Sequence, residues 1–149
     1  MIKDILNAMV EQNETRFWAM CDRLSVENAD LRLNSKAASA GFIYRHVSET
    51  MIRLGYFIGM PTAVENTTIG QQDTGQGRDL EASRILAEQG FGMLKEFIAK
   101  TPDEAWMEPI ETPFFGTVPM VKMFSHILYH NYYHMGQVGL TLAKSGVEV

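Results

Sequence analysis

Residues 123–143 read MFSHILYHNYYHMGQVGLTLA, 21 residues without an Asp, Glu, Lys or Arg. An uncharged run of this length is about what crosses a bilayer as a helix. The same run holds His126, His130, Asn131, His134 and Gln137, each of them costly in hydrocarbon. A helix buried in a water-soluble bundle accommodates both features. Its apolar residues Phe124, Leu128, Met135, Val138 and Leu142 fall on one stripe at helical spacing. No membrane association is therefore expected, and this segment reads as the last helix of a bundle.

Upstream, Ile2, Ile5, Leu6, Met9, Phe17, Met20 and Leu24 predict a first helix over about residues 2–24. Residues 25–39 read as a connection, because Ser25, Asn28, Asp30 and Asn34 favour turns and caps. A second helix is predicted over about residues 38–58, with Ile43, Val47, Leu54 and Ile58 on one face. Gly59, Pro61 and a Thr-, Gly- and Gln-rich run through Gly77 end it, and that segment is expected to be mobile. A third helix over about residues 78–100 is carried by Leu86, Met93, Leu94 and Phe97. Thr101, Pro102, Asp103 and Glu104 form a cap and a short turn, and Pro109, Pro113 and Gly116 keep the following stretch irregular or extended. Pro119 falls in the first turn of the last helix, and Gly146 supplies its stop. With no strand-period run long enough to build a sheet, the expectation is a single all-α domain over residues 1–149, an up-down four-helix bundle.

Composition narrows the function. The 149 residues carry 13 Lys plus Arg against 18 Asp plus Glu, a net charge of −5, with the cations scattered singly. That pattern opposes a phosphate-backbone footprint, so nucleic acid is not an expected partner. A chain of this length buries roughly two-thirds of its unfolded surface and needs no disulfide or structural metal to fold. Any metal it holds is then functional. The single cysteine, Cys21, cannot close an intrachain bridge, which fits a reducing compartment. From Met1, Ile2, Lys3 and Asp4 onward, acids and amides stand where a secretory peptide would need an unbroken apolar run, and a cytoplasmic location is expected.

Three of the four histidines, His126, His130 and His134, recur every four residues on the last helix. At 100° per residue, His134 lies about 80° from the centre of the apolar stripe, His130 about 120° and His126 about 160°. The pair nearest the interior, His130 and His134, has the one-turn spacing that lets two imidazoles converge on one ion. His126 and His134 are separated by about 12 Å of helix rise and cannot share an ion, so His126 is left out of the set. The remaining histidine, His46, lies about 80° from the centre of the second helix's stripe. If helices two and four are neighbours, three neutral imidazoles meet with coordination positions left open, the style of a catalytic site. Taken singly, each histidine reads as a satisfied core-margin residue; the pairing is what favours a site. A di-iron centre of the ferritin type is excluded, because Ile127 and Asn131 stand where its glutamates belong.

The run from His126 through His130, Asn131, Tyr132, Tyr133, His134, Met135, Gly136 and Gln137 to Val138 resembles the last-helix signature of DinB-like (DinB/YfiT) proteins. Residues 41–49, GFIYRHVSE, resemble their ligand-bearing second helix, and helix order and length match over nearly the whole chain. The resemblance implies a DinB/YfiT-like bundle that pairs as a homodimer, with His46, His130 and His134 as ligands of a divalent metal ion: zinc, nickel or iron. One departure is Met135, where the family often carries Arg. The resemblance further implies a transferase acting on a small-molecule substrate with a low-molecular-weight thiol such as bacillithiol, mycothiol or glutathione, activated by the metal. The alternatives are a hydrolase using metal-bound hydroxide, which wants a general base nearby, and a noncatalytic metal-binding or scaffold protein.

Around this set, Glu49 can orient an imidazole, act as a base or pair with Arg53 four residues on, and the surface ion pair is the expectation. Gln137, one turn beyond His134, can hydrogen-bond the free ring nitrogen of His134 or a substrate, or simply tie helices together. Cys21 lies on the core stripe of helix one and reads as inert packing. Trp18, Trp106, Phe114, Phe115, Tyr129, Tyr132 and Tyr133 read as packing residues. Gly136 and Gly139, about 60° apart, suggest that another helix comes close to that face.

Overall fold

A computed structural model of the chain describes residues 1–60 and 62–145. Four helices appear where the periodicity puts them: α1 (Ile2–Cys21), α2 (Ala40–Leu54), α3 (Leu80–Lys100) and α4 (Met120–Lys144). A 3₁₀ turn, Gly55–Ile58, continues α2, and a second, Asp103–Met107, follows α3. The proline-rich stretch is extended, as a two-stranded hairpin of β1 (Pro109–Thr112) and β2 (Gly116–Pro119). Pro61 and the helix stop expected at Gly146 lie outside the described residues.

Local chemistry sets the boundaries. The Ser39 hydroxyl accepts the Phe42 N–H at 3.2 Å and the Asp79 carboxylate accepts the Ala82 N–H at 2.9 Å, capping α2 and α3. Gly59, at φ +85°, takes the left-handed conformation that closes the 3₁₀ turn. The expected stripe of α2, Ile43, Val47, Leu54 and Ile58, is buried throughout. In α1 the inward line is Leu6, Val10, Asn13, Phe17 and Cys21, whereas Ile5 and Met9 are 57% and 39% exposed. The connection after α2 covers the outer side of α2 and not that of α1, so α1 buries a narrower stripe than its apolar residues suggest.

The helices form the expected bundle, and the contacts refine its alternating order. Each of α1 and α2 packs on both α3 and α4, so α1 and α2 lie across a diagonal. Asn13 donates to the Leu128 carbonyl at 2.8 Å and Cys21 meets Met135 eight residues further along α1, so α1 and α4 run the same way. Lys3 reaches the Ala99 carbonyl while Arg84 reaches Asp22, so α1 and α3 are antiparallel. Met51 lies against Gly90 and Gly55 against Met93, so α2 and α3 are parallel. The order is up, down, down, up, which the long segment between α2 and α3 permits by returning along the bundle.

That segment, expected to be mobile, is stitched down. Asp73 accepts the Ser39 N–H at 2.7 Å and pairs with Arg32 at 2.8 Å, joining it to the connection after α1. Gly77 meets Gly41 so closely that a Cβ there would stand 2.0–2.1 Å from the Gly41 and Phe42 backbone. Of the two α4 glycines, Gly139 faces Met20 of α1, whereas a Cβ on Gly136 would meet nothing within 4 Å among the described residues.

These surroundings give opposite signs to one substitution. Gly77→Ala should lower stability by about 1–3 kcal/mol through backbone overlap. Gly136→Ala should raise it by about 0.5–1 kcal/mol by removing unfolded-state freedom. Urea unfolding of both variants checks this; a neutral Gly77→Ala would mean that the connection after α2 does not touch the start of that helix.

Candidate metal centre

Buried polar groups pin α4 against α1 at one level and bring it beside α2. Asn131 of α4 donates to the Asn13 Oδ1 at 2.9 Å and lies 3.4 Å from the Met51 sulfur of α2. Next to this point α4 presents His130 and His134, and α2 presents His46 from the opposite side. The ring centroids of His46 lie 5.2 Å from His130 and 4.8 Å from His134, and those of His130 and His134 are 4.4 Å apart. One nitrogen of each ring can be chosen so that all three lie within 4.8 Å of one another. Nitrogens at about 2.0–2.1 Å around a tetrahedral ion stand about 3.4 Å apart, within reach of small side-chain rotations. The donor set therefore fits a divalent ion.

Electrostatics keeps these rings neutral. Burial, then the neighbouring His134, lowers the pKa of His46 to about 4. Burial, then the surrounding imidazoles, lowers that of His130 to about 3. For His134 burial lowers the pKa against an opposing hydrogen bond that the ring donates to Gln137. Neutral imidazole is the form that ligates metals.

Two of the rings are oriented by hydrogen bonds. His134 Nδ1 lies 2.6 Å from the Gln137 Oε1, the contact that the spacing suggested. His46 Nδ1 lies 3.3 Å from the Thr68 hydroxyl, which donates at 2.8 Å to the Glu49 Oε2. With its proton given to Glu49, Thr68 accepts from the Nδ1–H of His46, which leaves the Nε2 lone pair of that ring free. The third ring, His130, keeps Nδ1 buried with no hydrogen-bond partner among the described residues.

Glu49 corrects the sequence reading. It is completely buried and pairs with Arg45 at 2.6 Å, while Arg53 donates instead to the Val64 carbonyl. Its carboxylate also receives the Thr67 N–H and hydroxyl. Burial pushes its pKa up, but the hydrogen bonds from Thr67, Arg45 and Thr68 prevail and hold it below the usual carboxylate value. Thr67 and Thr68 were not singled out from the sequence, since their signal is only a Thr-Thr pair in a polar connection.

The remaining candidates stay outside the cluster. His126 packs among Phe114, Phe115 and Tyr129. Cys21 is buried beside Tyr44, and burial pushes its thiol pKa up. Of the aromatics read as packing, Trp106 is fully buried and Trp18 lies under the Arg84 guanidinium. Phe114, Phe115, Tyr129, Tyr132 and Tyr133 are exposed, because the hairpin tip and the outer face of α4 have no helix against them.

Fold and site together define a four-helix-bundle protein with a cluster of three histidines at the junction of two helices. A DinB superfamily model matches residues 9–138, and the chain belongs to that superfamily. Among solved structures, YfiT from Bacillus subtilis, described as a probable metal-dependent hydrolase with an unusual four-helix bundle topology, superposes with a TM-score of 0.70. It has 11% identity and covers 95% of this chain and 86% of that one. A conserved protein from Enterococcus faecalis gives 0.66 at 10% identity, covering 97% and 99% of the two chains. The four-helix bundle protein TT2238 gives 0.62 at 17% identity, covering 92% and 98%. At these identities the likenesses establish the fold alone. No curated protein matches the chain significantly. Among the described residues no helix is long and apolar enough to cross a membrane.

The depressed imidazole pKa values give the metal-free protein a defined pH response. Unfolded histidine takes up a proton near pH 6.5, whereas folded His46 and His130 resist to about 4 and about 3. Their contribution to stability is complete above pH 6.5 and is lost as pH falls through that window, the three rings titrating as a group. The urea midpoint at pH 5 should lie below that at pH 7.5, with a smaller difference in His46→Gln. Equal midpoints in the parent protein would contradict the burial of these rings as neutral groups.

Proposed function

We propose that this DinB-like protein is a metal-dependent transferase in which His46, His130 and His134 hold a divalent ion, zinc, nickel or iron, with a low-molecular-weight thiol as cosubstrate. What carries the reading is the meeting of three neutral imidazoles from two helices. Held by uncharged ligands, such an ion keeps its positive charge and lowers the pKa of a thiol or water beside it. Imidazole nitrogen accepts all three metals, so the ligand set does not select among them.

The chain's own residues supply orientation. Glu49, through Thr68, fixes the ring of His46, and Gln137 fixes that of His134. The second reading, hydrolysis, takes support from the description of YfiT. It wants a base free to take a proton from water. Glu49, the nearest acid in sequence, is buried and committed to Arg45, Thr67 and Thr68, which disfavours that role. A thiol needs no separate base once its pKa is lowered, and this favours transfer. A noncatalytic metal-binding role is the third reading. We further propose a cytoplasmic homodimer paired over the outer face of α4, where Tyr129, Tyr133 and Leu140 stand exposed; sedimentation equilibrium reads the pairing directly.

Three experiments test the centre and its chemistry. Elemental analysis of untagged protein should find one divalent ion per chain, and His130→Ala should remove it with far-UV circular dichroism retained. Thr68→Val should weaken the ion about 10–100-fold in a chelator competition, because His46 loses its orienting partner. In cobalt-substituted protein, a low-molecular-weight thiol should shift the visible absorption. A spectrum indifferent to several thiols would remove thiol transfer in favour of hydrolysis or no chemistry.

A further inference from the structure

A cavity of about 410 Å³ opens against the rings of His46 and His134. Four parts of the chain wall it: Leu33 and Ala38 from the connection after α1, Phe42 and Ile43 from the first turns of α2, Thr68 from the connection after α2, and Leu140 from the last turns of α4. Among the described residues its lining includes no Asp, Glu, Lys or Arg. The volume sits in the lower part of the range of about 300–1,000 Å³ typical of small-molecule sites.

The wall facing α4 is a built one. Arg32 donates to the Ala37 carbonyl at 2.7 Å and pairs with Asp73, which also accepts the Ser39 N–H. These bonds fix the segment carrying Leu33 and Ala38 against the start of α2 and the next connection. The other polar groups in the lining are uncharged. Thr68 is committed to Glu49 and His46, while Gln137, with its carbonyl oxygen on His134, keeps an amide N–H₂ without a partner among the described residues. The Thr141 hydroxyl is likewise without one, and both line the cavity.

An ionised group entering here would lose hydration and meet no counter-charge in the protein. An apolar body would gain by burial, and a single oxygen could accept from Gln137 or Thr141. We propose that the cavity seats the second reactant of the site, an uncharged, mainly apolar organic molecule bearing one hydrogen-bond-accepting oxygen. The chemistry of that reactant rests on the proposed metal centre, but its binding does not. Carboxylates of a thiol cosubstrate stay outside the cavity.

A homologous series tests this. Linear 2-alkanones from 2-butanone to 2-octanone are titrated by calorimetry and amide NMR shifts into the protein as purified and after dialysis against a chelator. Each added methylene should tighten binding about fourfold until the cavity is full. In the dialysed protein octanoate should bind at least tenfold more weakly than 2-octanone. Leu140→Lys, at a half-exposed position, should reverse that preference. If this variant does not fold, Ala38→Trp, which fills the cavity from the opposite wall, should abolish the chain-length dependence.

An affinity that does not change with chain length, or octanoate binding as tightly as 2-octanone in the dialysed parent, overturns the proposal. Elemental analysis separates this from the metal reading. Protein without an ion but with the alkanone series intact defeats the metal centre alone. An ion present with a flat alkanone series defeats the cavity alone.

Discussion

A carboxylate with no exposed surface constrains this bundle more than any other single group. Glu49 would lose most of its hydration energy on burial and would neutralise unless donors replaced the water. Four of them do: Arg45 one turn earlier on α2, the Thr67 N–H and hydroxyl, and the Thr68 hydroxyl. Satisfying the charge therefore forces the connection after α2 to fold back onto that helix. The same act places the Thr68 oxygen beside His46, so a requirement of folding fixes a ring of the site. Removing the carboxylate would release the connection and the ring together.

The order of helices has a comparable consequence. In a bundle with short hairpin links, sequence neighbours are spatial neighbours, and α1 would stand beside α2. Here α1 and α2 lie across the diagonal, which places α2 against α4 and brings His46 to His130 and His134. The connections needed for that order are long, and they become the walls of the site. The one after α1 supplies Leu33 and Ala38, and the one after α2 supplies Thr68. Asp73 ties the two connections together, and Gly41 and Gly77 allow the second connection to touch the start of α2. Length that resembles looseness in the sequence is thus used to enclose a cavity.

What the sequence discloses divides along the range of the interactions. The helices follow from apolar periodicity, a local property, and the one-turn spacing of His130 and His134 is local as well. Both are legible from residues alone, as is the Gln137 contact with His134. His46 joins the pair only if α2 and α4 are neighbours, which no local pattern states. Glu49 was misjudged for a related reason: Glu and Arg four residues apart suggest a surface pair with Arg53, and the same spacing toward Arg45 on the other side is equally available. Choosing between them requires knowing which face of α2 the next connection covers. Asn13 shows the same limit, since it completes an apolar stripe and is explained only by Leu128 and Asn131 across the interface.

The position after His134 shows how charge is arranged around the cluster. A basic residue there is frequent in the family, and its replacement by Met135 suggests at first a site lacking a cation. Met135 is nevertheless buried on the side of α4 that faces α1, with its sulfur 3.8 Å from the Cys21 thiol. A cation there would enter the apolar α1–α4 contact, about 100° around the helix from His134. Met135 thus fills a packing position, and the departure leaves the histidines untouched. The nearby cation that is present, Arg45, is paired with Glu49 and adds little field of its own. On the proposed reading, a divalent ion held by the three neutral rings would have its charge compensated by no side chain of the cluster and would favour the ionised form of a thiol beside it, and the uncharged cavity next to the rings supports that reading.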